Sequence, residues 1–249
     1  MLTLANPAKF MALSARLLPW LLALTAISFA VGLPLALVFS PPDYQQGEAV
    51  RIMYIHVPAA ILSMLVYAVM AVAAFSHLVW RAPLADVTAE CAAPIGTVFT
   101  AIALATGMLW GKPMWGAFWV WDGRLTSVLV LFFIYLGVIA LRQSIEDETK
   151  AARASAILTL VGSINLPIIH FSVYWWHTLH QQSSLFRAGG PSIYGTMLLP
   201  LLLMIGAYAA LFSTAMILRT RAMIIRRRIK SASQRAGSRA IMRESGAHA

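Results

Sequence analysis

Three of the six histidines lie at the ends of apolar segments, where an imidazole could bind a metal. His56 stands in YIHVP, two residues before Pro58, and His177 and His180 stand in WWHTLHQ. A proline suits the first turn of a helix, so His56 is predicted near a helix N-terminus, where the helix dipole favours a neutral ring. Neutral imidazole is the form that ligates metals. Local hydrogen bonding is the alternative role for His56.

The spacing of these histidines leaves two kinds of metal site open. His177 and His180 are three residues apart, which predicts one helical face carrying both and able to chelate a small metal ion. Haem iron takes axial ligands from opposite faces of the macrocycle, which suits histidines from two different loops. His56 with either His177 or His180 meets that demand, and the spacing does not choose between them. No HExxH pattern indicates a zinc enzyme.

The segment WGKPMWGAFWVWD, residues 110–122, contains four of the eight tryptophans. Two glycines and a proline interrupt any regular helix there. The spacing of Trp115 and Trp119 predicts stacking on one side of a short helical turn, whereas Trp119 and Trp121, two residues apart, would diverge on a helix. An interfacial aromatic belt explains one or two tryptophans at a helix end. Four, interleaved with charges, favour a platform for a flat, wide, apolar ligand with an anionic edge, such as a porphyrin.

Charged residues beside these segments could complete such a site. Arg51 and Arg124 stand on loops that otherwise hold few cations, and arginine pairs with carboxylates in bidentate geometry. We therefore predict that they meet the propionates, with Lys112 and Arg187 as further candidates and lipid headgroups as the alternative partners. Asp122 is expected to hold the Trp-rich segment through an indole N–H or Arg124.

The elements that position these residues are transmembrane helices. The chain of 249 residues is 60% hydrophobic and only 11% charged, against about 25% charged in a soluble domain. Apolar runs near the roughly 20 residues that cross a bilayer predict an all-α polytopic membrane protein. The six predicted spans are 17–39, 57–80, 94–111, 126–142, 154–175 and 194–218. Asn165 and Pro167 predict a kink in the fifth span.

The net charge of +10 is distributed asymmetrically. With the N-terminus inside, 15 of the 19 Lys and Arg residues fall on the inner side, which is the positive-inside pattern. The membrane domain is predicted over 1–230. Residues 231–249 form a basic tail, predicted to be mobile and to lie at the anionic lipid surface rather than on nucleic acid. Cys91 is the only cysteine, so no disulfide and no CxxCH haem-attachment site exists.

Several phrases resemble a known family. WGKPMWGAFWVWDGRLTS resembles the Trp-rich WWD signature of haem-handling membrane proteins, and DYQQGEAVRIMYIHVPAA and NLPIIHFSVYWWHTLHQ are similar to cytochrome c maturation protein C, CcmC. The resemblance covers roughly residues 40–185. It implies a periplasmic haem b site with His56 and His180 as axial ligands, which selects His180 over His177. The other residues that it implies at the haem are Trp115, Trp119, Trp121, Asp122, Arg51 and Arg124.

The resemblance also implies a role and partners. It predicts a subunit in the bacterial inner membrane that delivers haem to the chaperone CcmE, together with CcmD and the ATPase–permease pair CcmA and CcmB. The chain itself has no Walker A pattern and no nucleophile–base pair, so we predict that it is not an enzyme. Two alternatives are a transporter that moves haem through the bundle and a lyase that attaches haem to apocytochrome. Few polar residues line the spans, and the chain lacks the extra spans and outer domain expected of a lyase.

Overall fold

The computed structural model describes residues 6–247, apart from residues 186 and 188 and the side chains of 235 and 237–247. No strand occurs within these residues, and six helical segments are long and apolar enough to cross a membrane. The prediction of an all-α, six-span membrane protein is therefore confirmed. The helices are α1 Pro7–Pro34, α2 Met53–Trp80, α3 Pro83–Trp115, α4 Gly123–Ser144, α5 Glu148–Gly162, α6 Asn165–Trp175 and α7 Gly195–Ala247.

Most helices extend beyond the predicted spans. The third begins at Pro83 rather than near residue 94, because a proline at the first helical position loses no hydrogen bond there. The last helix runs to Ala247, through most of the segment assigned to the tail, whereas residues 248–249 lie outside the described part. The division at residue 230 and the mobility of the tail stay predictions.

Two irregular helical segments flank the loop between α1 and α2, and a third irregularity divides the fifth span. A π-helical turn, Leu35–Phe39, follows α1, and a short 3-10 helix, Glu48–Ile52, leads into α2. The fifth span is divided into α5 and α6 by a turn at 163–164, where Pro167 cannot donate to the carbonyl four residues earlier. The Asn165 amide bridges this kink to α4 by donating to the Ser127 carbonyl at 2.9 Å.

Helix α2 lies at the centre of the bundle and packs against α3, α5 and α7, while α1 packs on α7. Two buried tyrosines, Tyr67 and Tyr135, meet edge to face with their ring centroids 5.1 Å apart. Their hydroxyls donate to the carbonyls of Thr159 and Ser63 at 3.0 and 2.8 Å. The middle of the bundle is therefore closed by aromatic rings whose polar ends are satisfied.

Candidate functional site

His56 lies in the first turns of α2 and faces α3. Its Nδ1 is 3.0 Å from the Ala103 carbonyl oxygen and 3.1 Å from the Thr106 hydroxyl. A carbonyl only accepts, so Nδ1 carries the proton and Nε2 keeps a free lone pair. A Cβ at Gly107 would come within 3.2 Å of the His56 ring, so glycine leaves room for the imidazole. Second-sphere hydrogen bonds of this kind fix the tautomer of metal-binding histidines.

His180 follows α6 in an irregular segment. Its Nδ1 is 2.8 Å from the Gln181 carbonyl oxygen, which again places the proton on Nδ1 and leaves Nε2 free. Burial of the ring, followed by the positive charge of Arg124, lowers the pKa of His180. The prediction that His177 and His180 share one helical face is wrong, because α6 ends at Trp175. His177 is exposed, whereas His180 is partly buried.

The fold brings these two histidines, from distant parts of the chain, into one neighbourhood. His56 lies within electrostatic range of His180 and Arg124. The Arg124 side chain is mostly covered and donates to the Ile169 carbonyl of α6 at 2.7 Å. No group of three or more His, Cys, Asp or Glu residues in the described part is placed to hold a metal ion. A pair of free imidazole nitrogens suits haem iron better than a tetrahedral zinc ion.

The Trp-rich segment begins as the last turns of α3 and ends as extended chain. Trp110 and Trp115 meet edge to face at 5.1 Å between centroids, and Trp119 and Trp121 do so at 5.4 Å. The predicted stacking of Trp115 with Trp119 on one helical turn is wrong, because the helix stops at Trp115. The chain then turns at Gly116, whose φ of 78° favours glycine. Trp121 is 75% exposed, so its indole can meet a ligand.

Asp122 is the N-cap of α4, where one carboxylate oxygen accepts the Leu125 backbone N–H at 2.7 Å. The residue therefore does hold the segment, through the helix cap rather than through an indole or Arg124. Its second carboxylate oxygen, Oδ2, and the indole Nε1 of Trp119 are both buried and have no hydrogen-bond partner among the described residues. Unsatisfied buried polar atoms are costly, and at functional sites a ligand or water often satisfies them.

The other predicted cations have different surroundings. Arg51 forms an ion pair with Glu48 at 2.6 Å and donates to the Val38 carbonyl at 3.2 Å and to that of Leu37. It therefore ties the 3-10 helix to the π-helical turn. Lys112 lies over the Phe118 ring, 5.4 Å from its centroid. Arg187 is exposed.

Sequence reasoning missed some supporting residues. Gln46 accepts the Trp110 indole N–H at 2.8 Å, which links the first loop to the end of α3. A Cβ at Gly123 would come within 3.1 Å of the Trp176 ring, so this glycine seats that indole beside the Asp122 cap. These residues lie in or beside the motifs quoted from the sequence. Their contacts join segments that are far apart in the chain, so the motifs alone did not predict the contacts.

Comparison with known proteins shows the family of the chain. The sequence model of the family CcmC, heme exporter protein C, matches residues 1–235. The chain belongs to the heme exporter protein C family. The resemblance predicted from the sequence is therefore confirmed and extends over nearly the whole chain.

Relatives in this family include bacterial and plant proteins. Heme exporter protein C of Bradyrhizobium diazoefficiens is 55% identical over 96% of this chain and 90% of its own length. Heme exporter protein C of Escherichia coli K12 is 49% identical over 89% of both chains. A putative cytochrome c biosynthesis ccmC-like mitochondrial protein of Marchantia polymorpha is 44% identical over 89% of this chain and 94% of its own length.

Proposed function

We propose that this chain is the haem-binding subunit of the cytochrome c maturation system, with His56 and His180 as axial ligands. One observation carries the proposal. Each imidazole has its Nδ1 against a backbone carbonyl and its Nε2 lone pair free, and the two rings come from different segments of one neighbourhood. Two neutral imidazole nitrogens are a donor set that can complete the coordination of a haem b iron.

The Trp-rich segment supplies the surface for the macrocycle. Trp119 and Trp121 present indole rings beside the Asp122 cap, and Trp115 braces the preceding turn. Large aromatic rings favour offset or edge contacts with a flat π-system. The unpartnered Trp119 N–H and Asp122 Oδ2 are further groups that a ligand or its water could satisfy. Their positions favour a bound ligand over a purely interfacial belt.

The propionates would be met by arginine. Arg124 is the stronger candidate, because its charge acts on both imidazoles and only one of its nitrogens is engaged with Ile169. Arg51 already contacts Glu48 and two carbonyls, so a propionate there would have to displace or share these contacts. We assign Arg124 the main role and Arg51 a supporting one.

The place of the protein in the cell follows from its family and charge pattern. We propose a bacterial inner-membrane protein with both termini in the cytoplasm and the haem site in the periplasm. Haem held there would be delivered to CcmE, with CcmD and the CcmA–CcmB ATPase–permease pair as further partners. The chain would hold and orient haem while any ATP hydrolysis belongs to a partner.

Passage of haem through the bundle is less well supported. Tyr67 and Tyr135 close the centre, and a Cβ at Gly96 or Gly162 would come within 2.2 Å of their hydroxyls. A path for a molecule as wide as haem would require these rings to separate. The structure therefore favours a protein that presents haem at one end over a transporter.

Haem delivery can be tested by purifying the protein with and without co-expressed CcmE and measuring haem on both. Trp119→Ala combined with Trp121→Ala should lower haem retention roughly tenfold, since each aromatic contact contributes about 0.5–1.5 kcal/mol. The iron should stay six-coordinate in the fraction that remains. Trp80→Ala is the matched control, because Trp80 is exposed at the opposite end of α2. Unchanged retention and CcmE loading would contradict the platform role.

A further inference from the structure

A second polar site lies at the other end of the bundle. A cavity of about 450 Å³ opens there between α2, α3, α4, α5 and α7. His77, near the end of α2, lines it, whereas His56 lies 21 residues earlier on the same helix. At 1.5 Å per residue the two ends are about 30 Å apart, so this cavity is separate from the histidine pair.

Buried charges brace the wall of the cavity. Arg142 of α4 holds Asp86 at 2.6 Å and Glu90 at 2.9 Å, and Arg227 of α7 holds the same carboxylates at 2.7 and 2.8 Å. The two carboxylates are therefore fully compensated by two guanidinium groups. They tie three helices together and leave no negative charge free to attract a cation.

Positive charge is left over. Five cations and three anions line the cavity. Arg142 and Arg227 offset the two carboxylates of α3, and Lys230 pairs with Glu148. Within the part of the chain that the structure describes, Arg219 and Arg226 remain without an acidic partner. Arg219 uses Nε to donate to the Cys91 carbonyl at 3.1 Å, which holds the side chain in place. The cavity therefore carries two uncompensated positive charges.

Two further polar groups that line the cavity lack a hydrogen-bond partner among the described residues. The Ser155 side chain is only 7% exposed, and its hydroxyl has no hydrogen-bond partner. The Nδ1 of His77 is likewise buried without a partner. Both residues line the cavity beside the charged wall. A hydroxyl and an imidazole N–H are donors for an anionic oxygen.

We propose that this cavity binds a phosphate group. Two guanidinium groups without an acidic partner in the described residues, the Ser155 hydroxyl and the His77 imidazole form a set of donors around a space that admits a phosphate and its substituent. The remaining wall is largely apolar, with several alanines of α3 and α5. The headgroup of a membrane phospholipid and a soluble phosphate compound share this chemistry.

The surroundings favour the phospholipid. Helix α7 packs against α1, α2 and α3, and α5 packs against α2 and α4. At the cavity, α5 and α7 are bridged by the exposed pair Glu148–Lys230. A headgroup could enter beside this pair from the membrane surface, with its acyl chains along the apolar helix faces. The positive-inside pattern places this end at the anionic leaflet.

The test compares two single substitutions on α7. Arg226→Gln removes a cation that lines the cavity, whereas Arg228→Gln removes one that does not. Native mass spectrometry of protein from nanodiscs of phosphatidylcholine with phosphatidylglycerol would measure tightly held phospholipid. Arg226→Gln should reduce it about tenfold, the value of one charge-assisted hydrogen bond. Ser155→Ala removes the hydroxyl but keeps the apolar packing, and it should also reduce the amount of tightly held phospholipid.

Inorganic phosphate added to delipidated protein distinguishes the two sources. In one outcome, calorimetry shows phosphate binding that Arg226→Gln abolishes, while mass spectrometry shows no retained phospholipid. That combination would assign the site to a soluble phosphate compound. Equal effects of Arg226→Gln and Arg228→Gln, or no binding of either probe, would overturn the proposal. Haem retention should not change in either variant. A loss of haem in Arg226→Gln alone, with lipid unaffected, would also overturn it, because the cavity would then serve haem.

Discussion

The two ends of the bundle differ in one respect: the buried charge network at one end is paired within the protein, whereas the histidine pair at the other end is only half satisfied. At the end that holds Asp86 and Arg142, buried charges are matched by partners of opposite sign within 3 Å. At the end that holds His56 and His180, each ring has one satisfied nitrogen and one free nitrogen. The paired charges hold helices in place, whereas the free lone pairs of the two imidazoles are available to a ligand. The comparison predicts that the first end governs stability and the second governs haem.

Breaking the charge network should have the largest effect. Arg142→Met leaves Asp86 and Glu90 buried with only Arg227 as a partner, and we expect it to lower the free energy of unfolding by about 3 kcal/mol. Thermal unfolding in detergent would measure this. Arg153→Met, on an exposed position of α5, is the matched control and should change little. The haem spectrum should be unchanged in the variant that stays folded.

The tightly packed middle of the bundle, which belongs to neither end, should contribute to stability but not to haem binding. A Cβ at Gly96 would come within 2.2 Å of the Tyr135 hydroxyl, so Gly96→Ala overpacks the core and should cost about 2 kcal/mol. Gly206→Ala, which meets nothing within 4 Å, should be neutral or stabilising. A Gly96→Ala protein as stable as the Gly206→Ala protein would contradict the tight packing around Tyr135.

Acid should act on the histidine end. Burial and the charge of Arg124 lower the pKa of His180 below the ordinary histidine value of about 6.5, so the folded protein disfavours the charged ring. Because the folded pKa lies below the unfolded one, the associated stability is present above about pH 6.5 and is lost as pH falls through the folded pKa. Under the proposed ligation, protonation would compete with iron for Nε2, so six-coordinate haem should be lost as pH falls below the ordinary histidine pKa of about 6.5.

Removing the neighbouring charge should move this transition. Arg124→Gln takes away a positive charge that disfavours the imidazolium, so the spectral change should occur at higher pH than in the parent protein. Arg187→Gln, an exposed substitution in the same loop as His180, is the control. A transition that Arg124→Gln leaves in place, or moves to lower pH, would show that Arg124 does not act on His180.

The helix cap should have the smallest effect. Asp122→Ala removes the acceptor for the Leu125 N–H and should lower stability by about 1 kcal/mol, whereas Asp122→Asn keeps a cap. Thermal unfolding would measure both. If Asp122→Asn loses haem while keeping stability, Oδ2 contributes to the ligand site as well as to the fold.

The sequence predicted those features that depend on residues close together in the chain. Hydropathy predicted six helices, and the motifs around His56 and His180 pointed to two loops, because these signals lie within short segments. The helical arguments for His177 with His180, and for Trp115 with Trp119, were wrong because both helices end before the second residue. The spacing of residues is informative only while the backbone remains helical.

The buried charge network could not be predicted from the sequence. Asp86 and Glu90 lie four apart on α3, in the part of this helix that precedes the predicted third span. Their partners, Arg142 and Arg227, are 56 and 141 residues away from Asp86. Such pairing depends on how the helices pack, which a single sequence does not specify. The same holds for the carbonyls that orient the imidazoles.

The most direct test of the histidine pair is the electron paramagnetic resonance spectrum of the ferric haem-loaded protein. The parent should show a low-spin bis-histidine signal. His56→Gly and His180→Gly should each convert it to high spin, and added imidazole should restore the low-spin signal by occupying the space left by the missing ring. His77→Gly should leave the signal unchanged. A low-spin bis-histidine signal that survives either His56→Gly or His180→Gly without imidazole would contradict the assignment.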